Sequence, residues 1–352
     1  MLSAQLDNAI FQDSFLQRNY NSPSIGIEFS PFLKNNEYFQ SSQDGETFIG
    51  FQMQGLFFYP LGKSAELHLG ALAIQNYGDQ NGLSSWFPVA RLRMRHKKSE
   101  YIVGTLNGAA NHQLIEPLFE QERMYYERNE NGFQWRRQTE KSFMDAWLDW
   151  EVNTNRGIDR QERFTVGFNY KPTLKINDKQ QFIPNLQAIY QHSGPSTGNN
   201  NDPLRTLVNG AIGAEWNHQK EQRKWRLLSY FLLFQDFSIS PSLSFINGNG
   251  HFHTLQYSPN SKWDFMLNYW QGIEWYSSIG GRNYMAVNPF DRRFPRRDKN
   301  LIFLRAHYHK RIFNSIDLDA RVEPYADLNE FTVEPSFSLH LKFWGVFSGV
   351  GK

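Results

Sequence analysis

From Phe331 to Trp344 the chain reads FTVEPSFSLHLKFW, and consecutive residues belong to different chemistries. Phe331, Val333, Pro335, Phe337, Leu339, Leu341 and Phe343 form an apolar series, while Thr332, Glu334, Ser336, Ser338, His340 and Lys342 form a polar one. Side chains of a strand alternate between its two faces, so the stretch predicts a strand that is apolar on one side and polar on the other. The same period of two recurs along the chain. Ile49, Phe51, Met53, Phe57 and Tyr59 oppose Gln52 and Gln54, and Ala90, Leu92 and Met94 oppose Arg91, Arg93 and Arg95. Ala146, Leu148, Trp150 and Val152 oppose Asp145, Asp149 and Glu151, and Leu318, Ala320 and Val322 oppose Asp317, Asp319, Arg321 and Glu323. A period of two argues for strands rather than helices.

About sixteen such segments can be placed, near residues 24–33, 47–59, 65–77, 87–96, 100–108, 131–138, 142–153, 162–172, 181–192, 206–218, 224–237, 250–258, 262–276, 300–310, 315–325 and 331–344. Their connections alternate in length. Short polar turns such as KKS from Lys97, TEKS from Thr139 and PNSK from Pro259 alternate with long links at 34–46, 78–86, 109–130, 154–161, 193–205, 238–249 and 277–299, and only the last link, 326–330, is short out of turn. No domain boundary interrupts the series.

A soluble sandwich also alternates faces. Here the apolar faces run for five to seven positions, enough to cross an apolar band of roughly 25 Å, and aromatics such as Trp216, Trp263, Trp275, Tyr308, Phe343 and Trp344 mark strand ends. The opposite faces carry charge at mid-strand, which a wet lumen accommodates. No apolar run approaches the roughly 20 residues of a membrane-spanning helix; the longest, LLSYFLLF from Leu227, has eight. The absence of cysteine excludes disulfides and thiolate chemistry, and a net charge of +2 argues against a nucleic-acid partner.

These features resemble a Gram-negative outer-membrane β-barrel, similar in strand count and loop alternation to the general porins; no motif of a specific family is present. The expected fold is all-β, a transmembrane antiparallel up-and-down barrel of about 16 strands (range about 12–18) with short periplasmic turns and long extracellular loops. The resemblance covers Ser24 to Trp344. Phe343-Trp344 resembles the terminal aromatic signature of such barrels, although GVFSGVGK follows it. Residues 1–23 are expected to form a signal remnant or a periplasmic or plug segment, with Leu6, Ile10, Phe11 and Phe15 at near-helical spacing, and 345–352 a tail.

The resemblance implies a channel for passive diffusion of small hydrophilic solutes, sugars among them. Channel-lining candidates are Arg91, Arg93, Arg95, Asp145, Asp149, Arg305, Asp317, Asp319 and Arg321. In general porins the third long loop folds inward, so Glu116, Glu120 and Glu122 are candidates for a constriction facing Arg91, Arg93 and Arg95. The alternative is that those arginines pair with carboxylates on neighbouring strands. Trp147, Trp225 and Trp270 are expected to face inward. A second reading is a plugged subunit of an outer-membrane complex, or a surface glycan-binding or export protein. The third is a lipid hydrolase, for which Ser338 and His340 share a face, but one turned away from the acyl chains. His307 and His309 with His340, and His251 with His253, have spacings that could hold zinc; the simpler expectation is polar lumen residues, with no metal or cofactor and no catalysis. The basic run Arg292, Arg293, Arg296 and Arg297 is expected in a solvated outer loop. Expected partners are outer-membrane lipid and lipopolysaccharide, with a homotrimer and a hetero-complex both open.

Overall fold

The computed structural model describes residues 9–16, 18–39, 45–79, 83–108, 111–154, 160–196, 203–288, 295–313 and 315–348. Sixteen strands form one closed antiparallel barrel. They are β1 (Ser24–Asn36), β2 (Glu46–Pro60), β3 (Ala65–Asn76), β4 (Ser85–His96), β5 (Ser99–Thr105), β6 (Asn131–Gln138), β7 (Ser142–Val152) and β8 (Gln161–Pro172, continued by Leu174–Asn177). The second half comprises β9 (Gln180–Ser196), β10 (Arg205–Lys220), β11 (Arg223–Asp236), β12 (Asn247–Ser258), β13 (Trp263–Ile273), β14 (Asp298–Phe313), β15 (Ile316–Val322, continued by Tyr325–Asp327) and β16 (Thr332–Glu334, continued by Ser336–Ser348). Each strand pairs with its sequence neighbours, and β1 closes the ring on β16 from Ser24↔Ser348 to Asn36↔Ser336. Closure leaves no unpaired edge, which is what backbone in hydrocarbon requires.

All sixteen expected segments are strands. The last one runs past Trp344 to Ser348, so Gly345 to Ser348 are strand rather than tail.

The alternation assigns the faces. In β16, Glu334, Ser336, Ser338, His340 and Lys342 are buried in the lumen while Val333, Phe337 and Leu339 are exposed on the outside. The exposed set continues round the ring with Ile25, Ile27, Met53, Leu227, Leu233, Phe265, Leu267 and Leu304. Such a largely apolar exterior is unfavourable in water and suited to a bilayer. Two aromatics depart from expectation. Trp225 faces outward against Tyr257, because the period places its neighbour Arg226 inward between Asn217, Gln256 and Glu215. Trp275 is no girdle residue; it follows the link after β13 into the lumen and packs edge-on against Trp270. His251 and His253 lie on the outward face of β12, the half of the pattern alternating with buried Phe252 and Thr254.

Sixteen strands enclose more space than wall side chains fill. The link between β5 and β6 supplies Leu114, Ile115, Leu118, Phe119 and Met124; the link between β13 and β14 supplies Trp275, Tyr276, Ile279, Tyr284 and Met285. From the other end, Phe15 and Tyr20 of the N-terminal segment pack on Phe58, with Tyr20 stacked at 3.9 Å. The lumen wall makes room for its tryptophans with glycine: a Cβ on Gly167 would strike the Trp147 indole, and one on Gly250 the Trp270 indole.

Candidate functional site

The β5–β6 link folds into the barrel, and its charges dock it. Glu116 pairs with both terminal nitrogens of Arg305 on β14 and accepts a hydrogen bond from the Tyr284 hydroxyl at 2.6 Å. Glu120 accepts from Arg282 Nε at 2.7 Å and from the Tyr126 hydroxyl at 2.8 Å. Glu122 accepts from Asn36 Nδ2 at 2.7 Å and from Arg282 at 3.3 Å.

The expected constriction therefore has different partners. Arg91 donates to the Thr105 and Leu106 carbonyls and pairs with Asp13 of the N-terminal segment. Arg93 pairs with Glu100 on β5 and Glu66 on β3, and Arg95 with Glu66 and Asn19. The three arginines thus bind strand neighbours and the N-terminal segment, not Glu116, Glu120 and Glu122. The reason is reach: their strand positions are level with that segment, whereas the loop carboxylates meet cations on β14 and the β13–β14 link. Asp319 pairs with Arg321 and His307. Asp317 sits at the rim with Arg311 and Trp344. Asp149 accepts from the Asn131 amide at 2.7 Å.

Asp145 bonds His112, a loop residue singled out by no periodic pattern. His112 is fully buried, lies at 3.6 Å centroid distance on Trp147, and contacts Asp145 at 3.0 Å and Glu130 at 2.6 Å. Burial opposes its charge, but Glu130 and then Asp145 outweigh that and raise its pKa to about 9. A folded pKa above the unfolded value of about 6.5 contributes stability that is complete below that value and lost as pH rises through 9. Unfolding free energy in detergent is expected to fall by roughly 3 kcal/mol between about pH 6.5 and 9. A His112→Gln variant should lose this component of the slope over that window; an equal slope in the variant would remove His112 as its source.

Between the docked loop and β1, β15 and β16 lies a cavity of about 80 Å³, lined by Lys34, Tyr38, Glu122, Tyr125, Arg282, Arg321, Glu323, Ser336 and Ser338. Lys34 and Glu323 pair across it at 2.8 Å. Burial pushes the Glu122 carboxyl above its usual range; Lys34 opposes the shift and Glu120 adds to it. Beneath the cavity, Tyr125 and His340 Nε2 share a hydrogen bond of 2.6 Å, and His340 Nδ1 stands 3.5 Å from Asp319. Ser338 Oγ has no hydrogen-bond partner among the described residues, so no Ser338–His340 nucleophile pair is assembled there. Lys34 was expected in the link 34–46, whereas β1 runs on to Asn36 and carries it on the wall, and Arg282 carried no signal, being a single cation in an irregular link.

Outside the wall at the same place is an apolar groove of about 450 Å³ lined by Trp225, Leu255, Tyr257, Phe265, Leu267, Leu304, Val322 and Pro324, with Arg305 at its base. Arg305 lines both groove and cavity. Proline punctuates both strands here, β15 at Pro324 and β16 at Pro335, side by side, while Glu323 N–H still donates to the Ser336 carbonyl at 2.7 Å and Leu304 N–H to the Pro324 carbonyl at 3.0 Å. Proline has no N–H to give a ladder, so the missing donor at each position follows from residue type.

The model of the lipid A 3'-O-deacylase-type family matches residues 17–348. The chain belongs to this family. The family is named for an enzyme activity, which overturns the expectation of no catalysis. The match also carries the pattern of lipid-facing strands to a Gram-negative outer membrane. No curated protein sequence matches the chain. Among solved structures, a loop-deletion form of OmpT from Vibrio cholerae superposes with a TM-score of 0.55 at 8% identity, covering 92% of this chain and 99% of that one. OprD of Pseudomonas aeruginosa gives 0.53 at 9% identity, covering 93% and 94%. At such identities these two outer-membrane proteins share the fold alone with this family member.

Proposed function

We propose that the protein hydrolyses an acyl ester of lipid A in the outer leaflet. The observation that carries this reading is the meeting of an apolar outer groove and a polar lumen cavity at Arg305, beside Pro324 of the neighbouring strand, which lacks a ladder donor. An acyl tail would lie in the groove against Leu304, Leu267 and Leu255, with the ester at the wall beside Arg305. The hydrolase reading based on Ser338 and His340 suffered from an inward-facing site; the groove supplies the missing lipid side without a serine nucleophile.

Glu122, with its proton affinity raised by burial, suits the general base. It would take a proton from water as the water oxygen attacks the ester carbonyl. The tetrahedral oxyanion would face Lys34 and Arg282. Collapse breaks the bond to the sugar oxygen, which receives the proton from Glu122, leaving a free fatty acid and a sugar hydroxyl. Fixed cations at the developing oxyanion supply the electrostatic part of catalysis. The filled lumen supports this over diffusion, since aromatic and aliphatic side chains from three segments occupy the space a solute would use.

The folded protein in mixed micelles with lipid A is expected to release one equivalent of fatty acid per lipid, seen as the loss of one acyl mass. Intact lipid A with stable conductance steps in a planar bilayer would instead favour the porin reading.

A further inference from the structure

Near the short-turn end of the barrel, away from the cavity, three metal-type ligands converge. Asp264 on β13 and His307 on β14 are directly paired residues, and His309 lies two residues on, on the same face. Their ligand atoms all fall within 4.8 Å of one another. Asp264 Oδ2 is 3.7 Å from His307 Nδ1 and 3.6 Å from His309 Nδ1. Tetrahedral coordination with bonds of about 2.0–2.1 Å separates ligand atoms by about 3.3 Å, and both carboxylate–imidazole separations lie within a few tenths of an ångström of that spacing.

The surrounding bonds aim these atoms. Asp264 Oδ1 is taken by Gln256 Nε2 at 2.9 Å and by the Ser258 hydroxyl, which turns Oδ2 toward the imidazoles. His307 is fully buried and its Nε2 bonds Asp319, so its Nδ1 points at Asp264. Both His307 Nδ1 and His309 Nδ1 are buried without a hydrogen-bond partner among the described residues. Buried orphaned nitrogens are costly unless something coordinates them. A carboxylate on the far nitrogen of a ligating histidine is the usual support of a metal site, and Asp319 occupies that position.

We infer that Asp264, His307 and His309 bind a divalent transition metal of the zinc class through one carboxylate oxygen and two imidazole nitrogens. His309 is 30% exposed in its side chain and borders a recess of about 580 Å³ at the short-turn end, lined by Gln12, Ser14, Arg18 and Asp317. The fourth coordination position opens to that recess, leaving room for a water or a small anion. The site stands apart from the proposed ester site and does not depend on it.

Titrating ZnCl2 against a chromogenic chelator, with folded full-length protein in detergent, tests the assignment. One zinc per chain is expected, with affinity lowered at least tenfold in Asp264→Asn and in His309→Ala, and about 10- to 100-fold in Asp319→Asn. His309→Ala is partly exposed and its folding can be verified by the heat-dependent gel mobility of barrels. Ser338→Ala should bind as the parent does. No saturable binding by the folded parent, or unchanged affinity in folded His309→Ala and Asp264→Asn, would overturn the site.

Discussion

Replacing Glu122 by glutamine is expected to lower the rate of lipid A deacylation by about 10²- to 10⁴-fold, the range of general acid–base contributions. Glutamine keeps the shape and can still accept from Asn36 and Arg282, so the barrel should fold with unchanged stability. What it loses is the proton-accepting carboxylate. The pH profile separates this role from a structural one. Because burial raises the Glu122 carboxyl, the parent's activity should rise with pH above the ordinary carboxylate range as the base ionises. In Glu122→Gln the residual activity should lack that limb. A variant of parental rate would place the base elsewhere.

The second large effect concerns the docking of the loop. Arg305→Ala leaves the Glu116 carboxylate without its cation, held by the neutral donors Tyr284 hydroxyl and Gln121 Nε2, and removing one partner of a buried ion pair costs about 3–5 kcal/mol. Chemical unfolding in detergent should show a loss of that size. The double variant Arg305→Met with Glu116→Leu should recover most of it, because no uncompensated charge remains. Activity distinguishes the pair: stability returns in the double variant, but deacylation does not if the wall at Arg305 shapes access from groove to cavity. Equal destabilisation in the single and double variants would show that the pair does not dock the loop.

The barrel was legible because a strand in a bilayer wall has only two environments, and each residue declares one. Val333, Phe337 and Leu339 against Ser338, His340 and Lys342 is a local pattern that needs no tertiary information. The links between strands obey no such rule. Trp275 could be read as an interface residue or as a plug, since aromatic character serves both, and only the path of the β13–β14 link decides. Trp225 was misplaced for a related reason: near a strand end, one residue of uncertainty in the boundary reverses the face. The Asp264, His307 and His309 cluster was half visible, as two histidines at strand spacing. Its third member lies on the neighbouring strand and is brought in by register, which sequence spacing does not state. Arg292 and Arg293 of the basic run lie outside the described residues, while Arg296 pairs with Asp327 and Arg297 with Glu274.

Two proline breaks, at Pro324 and Pro335, were present in the sequence as interruptions of otherwise regular strands. Read alone, each is tolerable in a barrel wall. Side by side in the ring each removes one N–H donor from the same patch, beside Arg305, Glu323 and Ser336 of the cavity wall. Adjacent placement is a property of the closed sheet and follows only once β15 and β16 are paired.

The most direct measurement is mass spectrometry of lipid A extracted from outer membranes carrying either the parent protein or Glu122→Gln at equal folded levels. The parent is expected to yield lipid A lighter by one acyl chain, and the variant to leave it intact. Unmodified lipid A in both, with the parent folded in the membrane, would contradict the assignment of this barrel as a lipid A deacylase.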